Sequence, residues 1–458
     1  MILPNPSQSV IRAWMAGLFE MMSRKSRVDK EKISFTVHPT KALTLLNFID
    51  MFSVALVVPL LNQYYKDAGV LSASLRELLG SLFSSSQILG SLLMGALSDS
   101  GILSRRKILY ISFLGSALSY SLIVFGEFRS LLISRVIVGG VKQTFTISTS
   151  MISSYTTPGE RTRHIGQLSS CSTGAFIVGP SVGSYLYKNI DKRAPAFLAA
   201  SLFIMNFFLA VMLLPSESPY NNQKNRRNGN NVEKSNKFSN FFTNLKSCFA
   251  SKDLGNVIIV MLVFNWLTRA TSYVALASFY EKMYSIEPHQ RGYLASYNSV
   301  LSFLFQTCFI QYFVEKVGGE YIAVCAATCA LAFSTVLAMW SNLQIFLIFV
   351  CPIVAVANSV LRLSLRSLVT QIAQKDSLGS VLAALDILQN LVSVSVPFYR
   401  SVLFKILACF SNADYETDLG GDPAPIMWLK SSLIHWIVAT MIIIYLFRDN
   451  VQKKEKIS

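Results

Sequence analysis

The chain has 458 residues, 52% of them hydrophobic and 14% charged, with a mean hydropathy of +0.45. A water-soluble globule needs far more polar surface, so most of this chain must face lipid or other helices. The formal charge of +16 does not indicate nucleic-acid binding, because the basic residues gather between apolar stretches: Arg12 to Lys32, Arg105 to Lys107, 224–252 and Lys453 to Lys456.

In chain order, residues 1–41 are polar and basic and show no cleavable leader. Ile11, Trp14, Leu18 and Met22 fall on one helical face there, which fits either an interfacial helix or a loosely ordered tail. A spanning helix needs about 20 mainly apolar residues. Such segments are expected at 42–63, 77–98, 107–126, 130–152, 165–187 and 193–214. The stretch 216–253, with Asn225–Asn231 at its centre, is too polar to bury a core and reads as a cytosolic linker. Six more spans are expected near 254–280, 291–314, 320–340, 343–370, 379–405 and 426–447. The organisation is therefore a tail (1–41), a six-helix bundle (42–215), a linker (216–253), a second six-helix bundle (254–447) and a tail (448–458). The positive-inside pattern puts both termini in the cytosol, without distinguishing plasma membrane from organelle membrane.

Three motifs stand out. Span 2 ends on Gly95-Ala-Leu-Ser-Asp99, turns at Gly101 and meets Arg105-Arg106-Lys107. Span 4 carries Arg135-Val-Ile-Val-Gly139, and span 5 carries Gly174-Ala-Phe-Ile-Val-Gly179-Pro180-Ser-Val-Gly183. Small residues at this spacing let a neighbouring helix approach closely, and a proline within a span allows bending.

These motifs, in this order, resemble the signature loop, the fourth-span motif and the antiporter motif of the major facilitator superfamily. Asp50 followed by an apolar run and Pro59 is similar to the opening helix of its tetracycline-exporter-like, drug:proton antiporter branch. The resemblance implies an all-α polytopic membrane protein with twelve spans in two halves, working by alternating access. It departs from the branch at Ser100, where an arginine follows the loop aspartate, and Ile102-Leu103-Ser104 push the basic cluster further away. The resemblance assigns conformational roles to Gly95, Asp99, Arg105, Arg106, Gly174, Gly179, Pro180 and Gly183.

A charged group in a span costs about 2.5–3.5 kcal/mol on insertion scales, so each calls for a partner or a task. Asp50 is read as a proton carrier, or as a structural partner of Asn47, and the resemblance favours a coupling role for Arg135. Lys142 lies seven residues beyond Arg135, on the same face of span 4, and the two charges are read as pairing with Asp50 or gripping an anionic solute. Asn47, Lys142, Asn265, Arg269, Tyr297, Arg362 and Asp386 are candidates for the solute cavity. Asp386 is expected to pair with Arg362. The excess of basic over acidic candidates points to an anionic or zwitterionic solute.

The seven cysteines fall mostly in apolar stretches, and the four histidines are scattered, so no disulfide frame, metal site or catalytic grouping is expected. No Walker loop or dinucleotide fingerprint occurs. The expectation is a monomeric, cofactor-free transporter, not an enzyme, that moves a small organic solute by proton-coupled export or exchange within the lipid bilayer. An uncoupled facilitator of organic anions and a non-transporting receptor or scaffold are the alternatives.

Overall fold

The structure, a computed structural model, describes residues 38–455 apart from 71, 100–101, 157, 216–248, 250, 272–276, 374–377 and 411–423. The described residues form helices and no strands. In the first half these are α1 (Pro39–Asp67), α2 (Ala73–Asp99), α3 (Arg105–Phe125), α4 (Phe128–Val141), α5 (Thr144–Tyr155), α6 (Pro158–Asn189) and α7 (Ala194–Leu213). The second half comprises α8 (Lys252–Ala270), α9 (Ala277–Tyr284), α10 (Gln290–Cys308), α11 (Ile310–Val317), α12 (Glu320–Met339), α13 (Leu343–Ile372), α14 (Leu378–Phe410) and α15 (Pro425–Glu455).

Local chemistry sets several boundaries. Ser104 begins α3 by accepting the Lys107 N–H at 3.3 Å, and Gly126 ends it in the left-handed region at φ +70°. Ser251 and Asn342 cap α8 and α13 in the same way, accepting from Leu254 N at 3.2 Å and Ile345 N at 2.8 Å. Pro59 lies in a 3₁₀ turn (Val58–Leu60) within α1. Phe346–Val350 form a π turn just ahead of Pro352, whose missing N–H disrupts the regular ladder.

Among the described residues, seven helices are long and apolar enough to cross a membrane. Their outer faces expose residues such as Phe197, Met212, Ile434, Met441 and Tyr445, a distribution suited to lipid and not to water. In the first half α1 packs on α6 and α7, α3 on α4 and α7, and α2 on α4. In the second, α12 packs on α13 and α15, and α8 on α13 and α14. The halves meet along two seams, α2 with α14 and α6 with α10.

The cores of the halves differ. The second half has one continuous cluster, which includes Phe346, Leu361, Phe404 and Trp428. The first half has two, one around Leu43, Leu46, Leu109, Phe113 and Ile147, the other around Leu56, Leu60, Ala117, Val138 and Phe203. Along α1 the residues between the two clusters include Asp50; the corresponding gap along the fourth span includes Lys142 and Thr144.

Several expected boundaries are corrected. Helix α1 begins at Pro39, not 42, and α15 continues to Glu455, through most of the expected tail. The expected single fourth span is two helices, broken at Lys142-Gln143, and helix α8 stops at Ala270 before α9 resumes at Ala277. The possible interfacial helix at 9–22 and most of the 216–253 linker lie outside the described residues.

Candidate functional site

The polar layer of the first half is built around Asp50, which is fully buried. Lys142 Nζ donates to Asp50 Oδ1 at 2.6 Å, and Thr144 Oγ1 donates to the same oxygen at 3.2 Å. Thr144 Oγ1 lies 2.9 Å from Ser112 Oγ, which accepts the Gln143 N–H at 3.3 Å. Asp50 Oδ2 is buried and has no hydrogen-bond partner among the described residues.

The helix break explains the geometry. Lys142 leaves the helical region at ψ 83°, so the α4 ladder ends and the α5 ladder starts anew at Thr144. The stem of Lys142 is held by packing, its ammonium 4.6 Å from the Phe203 ring centroid. Lys142 itself still closes the last turn of α4, its N–H donating to Val138 O at 3.0 Å, seven residues beyond Arg135. Arg135 is also buried, but its described bond runs from Nη2 to Ser134 Oγ at 3.2 Å, and its Nε has no partner among the described residues.

Asn47 is fully buried and donates to Ser172 Oγ at 2.7 Å and Leu168 O at 3.4 Å, tying α1 to α6, while its Oδ1 has no partner among the described residues.

Helix α6 fits α1 through its small residues. A Cβ on Gly179 would lie 2.5 Å from Ala55 Cβ, and one on Gly183 would lie 2.1 Å from Leu56 O. Gly174 is looser, with its nearest such neighbour, Phe48 Cε2, at 4.0 Å. The opposite face of α6, at Pro180, meets the other half: a Cβ on Gly292 would lie 2.3 Å from Pro180 O. Ser181 Oγ donates to Ser296 Oγ across the same seam at 2.8 Å.

At the end of the bundle where α1 begins, Arg105 Nη1 donates to Ser150 O at 3.3 Å, and Arg106 Nη2 to Val211 O at 2.9 Å. The Val211 carbonyl lies in the last turn of α7, where a cation complements the helix dipole, and the Ser150 carbonyl lies one turn before the end of α5. Gly95 and Asp99 lie in the last turns of α2, and their surroundings fall outside the described residues.

In the second half, Arg269 Nε donates to Asn265 Oδ1 at 3.0 Å. Arg269 and Arg362 on α13 are both exposed. Tyr297 is half-exposed and donates to Leu347 O at 2.9 Å, within the π turn. Arg362 makes no ion pair among the described residues, and the side chain of its expected partner Asp386 lies outside them.

At the opposite end of the bundle, Lys66 on α1 pairs with Glu281 on α9 at 2.6 Å, bridging the halves. Arg291 at the start of α10 pairs with the same carboxylate oxygen at 2.9 Å. Burial alone would raise the Glu281 pKa, but the Lys66 and Arg291 cations outweigh it and hold the carboxyl below its ordinary range.

Against known families, residues 43–397 match the Major Facilitator Superfamily. The chain belongs to the Major Facilitator Superfamily.

Superfamily membership agrees with the likeness of the fold to solved structures. The nucleoside transporter NupG superposes with a TM-score of 0.68 at 12% identity, covering 90% of this chain and 99% of NupG. The human organic anion transporter MFSD10 gives 0.59 at 17% identity, covering 88% and 98%. In sequence, the quinolone resistance protein NorA of Staphylococcus aureus (strain MRSA252) is 29% identical over 170 residues, 36% of this chain and 42% of NorA. The class D tetracycline resistance protein of Salmonella ordonez is 28% identical over 200 residues, 42% of this chain and 50% of that protein. The chain thus spans half or less of the length of these curated relatives. As a member of a transporter superfamily, it is not an enzyme.

The superfamily motifs locate the α1–α6 contact and the basic cluster, but not Thr144, Ser112, Lys66, Glu281 or Arg291. Thr144 and Ser112 are ordinary span residues in sequence. The signal for the ion-paired trio was charge at the ends of spans 1, 7 and 8, and nothing local says that these ends meet.

Proposed function

We propose that this protein is a secondary active transporter that moves a small organic solute by rocking its halves, with protons coupled through Asp50. The observation that carries the reading is the buried Lys142–Asp50 pair at the break in the fourth span, with one carboxylate oxygen unpartnered among the described residues. A carboxylate shared by an ammonium and a hydroxyl in a dry layer has two states. It is paired when charged and released when protonated, which is how a proton can bias one arrangement of helices over another. Arg135, buried in the same bundle without a carboxylate partner among the described residues, is the second coupling residue. Asn265, Arg269, Tyr297, Arg362 and Asp386 belong to the solute side of the cycle.

The likeness to NorA and to the tetracycline resistance protein supports an exporter or exchanger, and the positive-inside pattern supports cytosolic termini. A finer placement goes with it, beside major facilitator superfamily domain-containing protein 9 and its relatives, on the residues of spans 1 and 2.

The test is solute flux and solid-supported-membrane current from reconstituted protein, with and without a pH gradient. Currents that follow the gradient and vanish in Asp50→Asn are expected. Gradient-driven transport that survives in a folded Asp50→Asn protein would overturn proton coupling, and specific solute binding without flux would overturn transport.

A further inference from the structure

One carboxylate oxygen holds the break in the fourth span from both sides. Lys142, which closes the α4 ladder, and Thr144, which opens α5, both donate to Asp50 Oδ1, at 2.6 and 3.2 Å. In a continuous helix the Gln143 N–H between them would donate to Gly139 O. Here it donates to Ser112 Oγ on α3 at 3.3 Å. Ser112 Oγ lies 2.9 Å from Thr144 Oγ1, and because the Thr144 hydroxyl hydrogen is spent on Asp50, Ser112 is the donor in that pair. The donors therefore run one way, from the freed backbone N–H through Ser112 and Thr144 to the carboxylate. Such a chain is strongest when it ends on a charge. Ser112, Gln143 and Thr144 are all buried, so bulk water does not substitute for these bonds. Thr144 also sets the carboxylate against the start of α5, the positive end of its dipole.

The last turn of α4 lies backbone to backbone on α2. A Cβ on Gly90 would be 2.1 Å from Gly140 O, and one on Gly139 would be 2.6 Å from Phe83 O. Helix α2 in turn forms a seam with α14 of the second half. Whether the ladder stops after Val138 O or runs on thus bears on a helix that touches the other half.

We propose that Ser112 is a positioning residue for proton coupling, the link through which the charge on Asp50 keeps the fourth span broken. With Asp50 charged, the Gln143 N–H is drawn to Ser112. With Asp50 neutral, the chain loses its charged end, Lys142 loses its partner, and the ladder closes through the break. The inference rests on the transport reading in taking Asp50 as the protonated group. Among the described residues, the charged and titratable side chains around Asp50 are Lys142 and, beyond it, Arg135 on α4, Tyr120 on α3 and Tyr65 on α1. Helices α6 and α7 bring the neutral Ser172 and Asn206 to the same stretch of α1.

The test is hydrogen–deuterium exchange of the purified full chain in lipid nanodiscs, read by mass spectrometry on peptides covering 139–147. Spectra are compared at neutral and acid pH, with the chemical pH dependence of exchange divided out. The first N–H groups of α5 lie ahead of its ladder while the break persists and within a ladder once it closes. Acidification is therefore expected to slow their exchange by about tenfold, the size of one hydrogen bond to a charged group. Ser112→Ala, and Asp50→Asn combined with Lys142→Met, should each exchange slowly already at neutral pH and change less than about threefold with acid. Joining all three substitutions should add nothing further, because they cut one chain. Ser112→Thr keeps the hydroxyl and should behave as the unsubstituted protein. So should Ser116→Ala, one turn along α3, whose Oγ has no partner among the described residues. Exchange indifferent to pH in the unsubstituted protein, acid dependence that persists without Asp50 and Lys142, or Ser112→Ala indistinguishable from Ser116→Ala would overturn the link. Because exchange is measured without solute or gradient, flux that ignores the proton gradient beside the expected exchange pattern would count against the transport reading alone.

Discussion

Lys142 Nζ sits 2.6 Å from Asp50 Oδ1, joining residues 92 apart in the chain, in the layer that separates the two apolar clusters of the first half. The pair takes the charge of both groups out of the apolar interior at the place where the fourth span loses its helical ladder. It makes that place polar without making it wet.

Breaking this pair on one side leaves an uncompensated buried charge. Asp50→Asn or Lys142→Met alone should destabilise the protein by about 3 kcal/mol, at the lower end of measured buried-pair losses. The double variant should recover most of that loss, because two neutral groups of similar volume need no partner. Thermal unfolding of the purified variants checks this. A double variant as unstable as the sum of the singles would show that the pair is not coupled.

The α1–α6 contact depends on a missing side chain at Gly183. A Cβ there would overlap Leu56 O, a backbone atom that cannot swing aside, so Gly183→Ala should cost about 1–3 kcal/mol. Gly166, on the same helix, has nothing within 4 Å of its Cβ position. Gly166→Ala should be neutral or slightly stabilising by helix propensity. Melting temperatures of the two variants, measured side by side, distinguish contact from propensity.

Gly292 tests the seam between the halves instead of the packing within one. Its Cβ would meet Ser184 Oγ at 1.9 Å and Pro180 O at 2.3 Å. Gly292→Ala should push α10 from α6 and populate conformations in which this end is open. Spin-label distances between the Lys66 and Glu287 ends of the two halves should lengthen or broaden, with little change in helix content by circular dichroism.

The Lys66–Glu281–Arg291 group predicts an acid response. The folded Glu281 pKa is depressed, so its stabilising contribution is complete above the ordinary glutamate value and is lost as pH falls through the depressed one. Acidification below the ordinary range should therefore loosen this end of the bundle, and Glu281→Gln should loosen it already at neutral pH and abolish the acid dependence. The carboxylate is partly exposed, which limits the effect to about 1 kcal/mol, or about fivefold in the open population. Distance measurements across the seam at neutral and acid pH check both statements.

Hydropathy and length were enough to read the all-helical membrane class. In hydrocarbon the backbone has to satisfy itself, and a long apolar run has few structures open to it. A close helix approach at Gly179 and Gly183 was legible too, since these residues carry their meaning in their smallness, but that the neighbour is α1 came only from the structure. Which cation takes Asp50 was not legible, since Arg135 and Lys142 were both candidates and only the packed structure gives the carboxylate to Lys142. Nor does spacing say that the Asn47 amide nitrogen meets Ser172 and Leu168 O across a helix contact. Lys66 and Glu281 lie 215 residues apart. Their meeting depends on which helices pack together and in which conformation the halves rest, and long-range packing of that kind leaves no local periodicity in a chain.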